Sequence, residues 1–249
     1  MTFLIARPTD KAQQTSALFK QSGLHAQVLP IIDIELATNN MLVEQLNSAN
    51  PSCIIVTSTY AAQWLLSIIA AQKVALDFAH TTFLCIGNAS AALLLPITHK
   101  SNVLVASPEN SEGALQADCL QAVSNVNIVL LKGEGGRDLI ATTLGRQNAI
   151  VSVLNVYKRV VNVQAIRAFT FEPSQIKCII ATSIEITELL LANNQHRWMT
   201  SCVWIVASER IKDYAYEKGI KHIVISQGAS SEALLACANQ LVNTGVVHD

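Results

Sequence analysis

The one glycine-rich loop of this sequence, Lys132-Gly133-Glu134-Gly135-Gly136-Arg137-Asp138, is the segment whose residue types could do the most chemistry. Its glycines leave backbone N–H groups open to an anion, and it leads into a helical pattern whose N-terminus favours negative charge. Arg137 could add a charge-assisted fork to a carboxylate. The same residues also make an ordinary turn that needs no ligand, and both readings stand. Nucleotide binding is poorly supported: Asp138 stands where the third glycine of G-x-G-x-x-G would be, and no G-K-[ST] ending follows.

Small polar clusters follow other apolar runs: Thr57-Ser58-Thr59, Gly87-Asn88, Thr182-Ser183 and Ser208-Glu209-Arg210. Each lies just past the C-terminal end of an expected strand, where open α/β sheets bind ligands, and each also suits the N-cap of the next helix. Capping alone explains any one of them. Their recurrence at equivalent places favours matched rims of hydroxyls and free amides. Tyr157, in Asn155-Val156-Tyr157-Lys158-Arg159, reads by pattern as a β-preferring strand residue with its hydroxyl toward solvent. Histidines 25, 80, 99, 196, 222 and 248 are scattered, with no partner at metal-ligand spacing, so no metal site is expected. Ser58 and Ser183 lack the flanking glycines of G-x-S-x-G, which argues against a nucleophile elbow.

The elements that must position these groups alternate along the chain. Short apolar runs near 2–6, 25–32, 53–57, 82–86, 102–105, 127–131, 149–156, 177–181, 202–206 and 222–225 read as strands, with helical patterns between them. Good N-cap types mark helix starts at Thr9-Asp10, Ser58-Thr59, Asn88, Asn110-Ser111, Ser183, Ser208 and Ser230-Ser231. This predicts parallel sheets covered by helices on both faces.

The pattern also repeats. Ser52-Cys53-Ile54-Ile55-Val56-Thr57-Ser58 returns 125 residues later as Lys177-Cys178-Ile179-Ile180-Ala181-Thr182-Ser183, and Phe3-Leu4-Ile5-Ala6-Arg7-Pro8 returns as Ile128-Val129-Leu130-Leu131-Lys132-Gly133. Copies this long exceed the roughly 20–50-residue periods of solenoids, so two α/β lobes with a ligand cleft are expected. An exchange would join 1–33 to 161–249 and leave 37–155 as the other domain, with extended crossings at 31–36 and 153–161. A tandem arrangement with a boundary near 126 is the rival, and periodicity alone leaves it open.

With 51% hydrophobic and 14% charged residues, the chain has ample material for buried cores. A net charge of −1 with no basic block gives no electrostatic footprint for nucleic acid or a membrane surface, so a polyanionic ligand would be held mainly by dipoles. The absence of a secretory pattern before the first strand points to the cytoplasm, and Cys53, Cys85, Cys178 and Cys202 read as reduced core thiols.

Taken in order, Ile5-Ala6-Arg7-Pro8, the strand end at Pro30, Val56-Thr57-Ser58, Gly87-Asn88, Gly133 to Leu139, Val156-Tyr157-Lys158-Arg159, Ala207-Ser208-Glu209-Arg210 and Gly228-Ala229-Ser230 resemble the uroporphyrinogen-III synthase family across the whole chain. The resemblance implies two flavodoxin-like parallel-sheet domains joined by a two-stranded connection, the first domain being discontinuous, and favours the exchanged arrangement. It implies cyclisation of hydroxymethylbilane, a linear tetrapyrrole, to uroporphyrinogen III, with loss of water, inversion of the terminal pyrrole ring and no cofactor or metal. Tyr157 would then be the general acid. Arg7, Thr57, Ser58, Thr59, Gly87, Asn88, Gly133, Gly136, Arg137, Thr182, Ser183, Ser208 and Arg210 would meet the substrate, with the arginines adding charge at the rim. The protein is expected to act as a monomer, without nucleic-acid or membrane partners. The competing class is a non-enzymatic, two-lobed cytosolic module that closes on a small anion.

Overall fold

Ten strands and ten helices alternate through the computed structural model, which describes residues 2–74, 80–169, 173–192 and 194–245. In chain order the first half comprises β1 (Thr2–Pro8), α1 (Thr9–Gln21), β2 (His25–Leu36), α2 (Asn40–Ala49), β3 (Cys53–Val56), α3 (Thr59–Ala70), β4 (Thr82–Cys85), α4 (Asn88–Leu94), β5 (Val103–Val105) and α5 (Ser111–Leu115). The second half comprises β6 (Asn127–Gly133), α6 (Leu139–Arg146), β7 (Ile150–Val161), α7 (Val163–Ala168), β8 (Ile176–Ala181), α8 (Ile184–Leu191), β9 (Val203–Val206), α9 (Glu209–Glu217), β10 (His222–Ile225) and α10 (Ser231–Asn243). By internal contacts the chain divides into two compact units, Met1–Asp33 with Val160–Asp249, and Ile34–Arg159.

In the first unit the strands run β10-β9-β8-β1-β2, all paired in parallel. Numbered along the chain this is the flavodoxin-like order 2-1-3-4-5. The second unit has the same order, β7-β6-β3-β4-β5, but the chain enters it at the third strand, so β6 holds the place that β1 holds in the first. Phe3 pairs with Cys178 in one unit and Ile128 with Cys53 in the other, which is the 125-residue register seen in the sequence.

Alternation along each strand builds two cores per unit, because successive side chains leave opposite faces of the sheet. Leu4 and Ala6 join Trp204 and Ile186 on one face, whereas Phe3 and Ile5 join Phe19 and Leu234 on the other. Ile54 and Val56 pack with Trp64 and Phe83, and Ile55 packs with Leu130 and Leu144. Burying each such side chain contributes ~1.5–3 kcal/mol, which is why these short strands need no polar alternation.

β2 and β7 are each twelve residues long and run past the expected ends at 32 and 156. Near their ends the Ala37 N–H donates to Val156 O within the second unit, and the Asn162 N–H donates to Ile31 O within the first. Three helices start where no cap was expected: Asn39 caps α2 through Met41 N–H, Asn162 caps α7 through Ala165 N–H, and α6 follows Asp138, whose side chain makes no capping bond. No helix among the described residues is long and apolar enough to cross a membrane.

Candidate active site

In a sheet of order 2-1-3-4-5, ligands bind outside the carboxyl ends of the strands where the order reverses. In the second unit that point lies between β6 and β3, and a cleft of about 180 Å³ opens there. Thr57 from the end of β3, the loop Lys132–Arg137 from the end of β6, and Tyr157 and Arg159 from β7 all line it.

The loop is held from both sides. Lys132, only 8% exposed, donates from Nζ to Asp138 Oδ1 at 2.7 Å and so closes the glycine turn over its own strand. Gly135 and Gly136 take φ of +73° and +81°, a left-handed conformation that other residues adopt only at a cost. Among the described residues neither of their N–H groups has a backbone acceptor, as an anion nest requires.

Gly133 answers a different demand. A register shift after Lys132 sets it opposite Tyr157, and a Cβ there would fall 2.6 Å from the tyrosine ring. Glu134 N–H completes the link by donating to Tyr157 O at 2.8 Å. Against the solvent-facing strand tyrosine expected from sequence, Tyr157 is 9% exposed, its ring packed 5.4 Å from that of Tyr60. Its hydroxyl has no hydrogen-bond partner among the described residues and is not sealed from solvent, so a proton donor faces the cleft.

The repeat provides an internal control. Pro8 pairs with Ile32 across the same register shift that pairs Gly133 with Tyr157, again 125 residues apart. An apolar Ile32, 1% exposed, satisfies the fold at that position, so the tyrosine hydroxyl is surplus to folding.

Other expected contacts are spent within the protein. Thr57 donates its hydroxyl to Leu131 O, while the Ser58 and Ser183 hydroxyls accept from Ala61 N–H and Ile186 N–H as N-caps. Thr59 opens α3 and Thr182 precedes the Ser183 cap, both half-buried. Ser208 precedes α9 without a capping bond from its side chain, and Arg210 is exposed in the first turn of that helix. The Gly87-Asn88 end is not an open amide rim, because the Glu109 carboxylate accepts from both the backbone N–H and the side-chain amide of Asn88. A Cβ at Gly87 would meet that carboxylate at 2.7 Å.

Arg7 is likewise not a rim charge. It is 5% exposed and donates to Thr15 Oγ1 at 2.6 Å, Ala229 O at 2.6 Å and Ser231 Oγ at 3.4 Å, tying α1 to the turn before α10. Its repeat counterpart is Lys132, also buried, so each unit holds one cation beneath the end of its first-position strand. Arg137 is exposed but pairs with Glu112 at 2.7 Å. The carboxyl's own backbone N–H and the Arg137 guanidinium hold Glu112 below the usual carboxylate range.

Of the cleft residues, Ser111 and Arg159 were not among the expected contacts, and Lys132 and Glu134 entered only as members of the glycine-rich loop. Arg159 had a legible signal: it lies two residues beyond Tyr157 on one strand, and alternate residues share a face. No three His, Cys, Asp or Glu side chains among the described residues gather as a metal site would require; His248 lies outside those residues.

A family model described as uroporphyrinogen-III synthase HemD matches residues 13–236. The uroporphyrinogen-III synthase of Escherichia coli (strain K12) is 26% identical over 243 residues, which cover 94% of this chain and 98% of that protein. That of Proteus mirabilis is 28% identical over 203 residues, 80% of this chain and 100% of the relative. Among solved structures, uroporphyrinogen-III synthetase from Helicobacter pylori 26695 superposes with a TM-score of 0.63 at 14% identity, over 97% of this chain and 100% of that one. A mutant uroporphyrinogen III synthase from Thermus thermophilus gives 0.60 at 14% identity, over 98% and 100%. At such identities the two structures speak to the fold.

Proposed function

The chain belongs to the uroporphyrinogen-III synthase family, and from that premise we propose that it cyclises hydroxymethylbilane to uroporphyrinogen III, a step of tetrapyrrole (heme) biosynthesis, with Tyr157 as the acid. The observation that carries the role of Tyr157 is its unpartnered hydroxyl at the cleft, in a fold position that the other unit fills with isoleucine.

On this reading Tyr157 protonates the departing hydroxyl of the bilane, which leaves as water and creates an electrophilic azafulvene. The substituted carbon of the terminal pyrrole attacks it, and the resulting spiro intermediate reopens and recloses with that ring inverted. The bilane is reactive by itself and closes unaided to the type-I isomer. Most of the catalytic work is therefore orientation, bringing the disfavoured carbon into contact, with one acid adding about 10²–10⁴-fold. The substrate's carboxylates would be received by the glycine-loop amides of the cleft and by the amide ends after β3 and β8, with Ser208 and Arg210 as further contacts. We read 1–33 with 161–249, and 37–155, as the two domains, with 31–36 and 153–161 as the connection, and the protein as a cytoplasmic monomer.

Supplying the purified chain with freshly generated hydroxymethylbilane and separating the isomers tests the proposal. Type III should dominate. Type-I product alone would leave only binding of a small anion.

A further inference from the structure

We propose that Arg159, rather than Arg137, is the residue that grips a carboxylate arm of the hydroxymethyl-bearing pyrrole ring beside Tyr157, and that it sets the enzyme's preference for a heavily carboxylated substrate. This rests on the reading of the cleft as the bilane site. Most of the cleft's positive charge is already committed. Three cations line the cleft, and two have partners within the protein: Lys132 with Asp138 at 2.7 Å and Arg137 with Glu112 at 2.7 Å. Arg159 is exposed, lines the same cleft and has no ion pair among the described residues.

A substrate carboxylate that approached Lys132 or Arg137 would have to displace an existing carboxylate, exchanging one ion pair for another. At Arg159 it gains a pair without breaking one, and the guanidinium can accept it in fork geometry. Glu134 also lines the cleft and is exposed. Its negative charge disfavours a second carboxylate arm nearby.

Position supports the same assignment. Arg159 follows Tyr157 by two residues on β7, so their Cα atoms stand about 6.5 Å apart with side chains on one face. A single ring could thus present its leaving hydroxyl to Tyr157 while Arg159 fixes its rotation. Lys158 between them leaves the opposite face and pairs with Glu35 at 3.1 Å, so one strand supplies both a test position and a charge control.

The test compares Arg159→Met, Arg159→Lys and Lys158→Met with the parent full-length chain. Three readouts are taken: kcat and KM on hydroxymethylbilane, isomer ratio, and fluorescence titration with uroporphyrin III and with coproporphyrin III, in which methyl groups replace the acetate arms. Arg159→Met should weaken uroporphyrin III binding and raise KM by about ten- to a hundredfold, as expected for loss of a charge-assisted fork. It should bring the two porphyrin affinities together and release more type-I product. Arg159→Lys should recover part of the affinity, and Lys158→Met should leave all three readouts at the parent values. Equal losses in Arg159→Met and Lys158→Met would mean a diffuse charge effect and would overturn the proposal, as would an unchanged KM in Arg159→Met while the parent chain makes type III. If the parent chain makes no type III, the cyclase reading itself fails.

Discussion

A methyl group added at Gly133 would sit 2.6 Å from both Cε2 and Cζ of Tyr157 and 3.0 Å from its hydroxyl oxygen, well inside the ~3.5–4.0 Å at which carbon atoms attract. Gly133 is not among the glycines with positive φ, so alanine there is strained by contact and not by its backbone. The ring must yield by about 1 Å, and overpacking of this kind costs about 1–3 kcal/mol. A domain stable by ~5–15 kcal/mol survives that. Catalysis should not: a 1 Å misplacement of a reacting group costs on the order of 10²-fold. Gly133→Ala should therefore lower kcat for type-III formation by about 10² while the chain still unfolds cooperatively by circular dichroism. Because the loss runs through the Tyr157 hydroxyl, Gly133→Ala combined with Tyr157→Phe should be little worse than Tyr157→Phe alone, the non-additivity expected of residues in contact. Gly136→Ala supplies the contrast. Its φ of +81° makes it a backbone burden of about 1–2 kcal/mol, yet an added Cβ there meets nothing within 4 Å, so its turnover should fall much less. Parent-like turnover in Gly133→Ala, or losses that multiply in the double variant, would refute the link from glycine to tyrosine to chemistry.

Three further outcomes are expected. Tyr157→Phe should lower kcat by about 10²–10⁴ with an unchanged fold, because only the hydroxyl is removed; an unchanged rate would leave orientation as the whole mechanism. Arg7→Met should lower Tm and leave KM near the parent value, since the Ala229 carbonyl loses its buried donor and Thr15 Oγ1 one of its three partners, at about 1–3 kcal/mol for a group left unpaired; raised KM at parent Tm would return Arg7 to the substrate. Iodoacetamide should label Cys119 ahead of the other cysteines, as read by peptide mass spectrometry. A hydrogen bond from Cys53 lowers the Cys119 thiol, whereas burial pushes Cys85 up to about 12 and Cys202 to about 11. Faster labelling of Cys85 or Cys202 would contradict that ordering.

Much of the fold was legible because its signals are local. Runs such as Cys53-Ile54-Ile55-Val56 and Cys178-Ile179-Ile180-Ala181 are too short for helices and apolar on both faces, as only a strand covered on both sides can be. Ser58, Asn110, Ser183 and Ser230 announce their helices through bonds to N–H groups three residues on. The helix at Asn40–Ala49 gave less warning, since Asn39 stands in a polar stretch that reads equally well as a loop. The family, too, was legible, because an ordered set of weak motifs survives where no single motif is specific.

Spacing along the chain was enough for most of the element types, for the two copies of one α/β pattern and for the residues available for chemistry. Tertiary structure decided which of those residues remain free to act. Periodicity did not distinguish a β1 paired with β3 from a β1 paired with β8, because the two partner strands are near copies; packing chose Phe3 opposite Cys178. Nor could composition show that Arg7 is spent on Thr15 and Ala229, Asn88 on Glu109 and Arg137 on Glu112, or that Arg159 has no ion pair among the described residues. Partners so far apart in sequence meet only when the sheet closes. A charge or hydroxyl is available to a ligand only in so far as the folded chain leaves it unpaired, and that depends on contacts in space rather than on residue type.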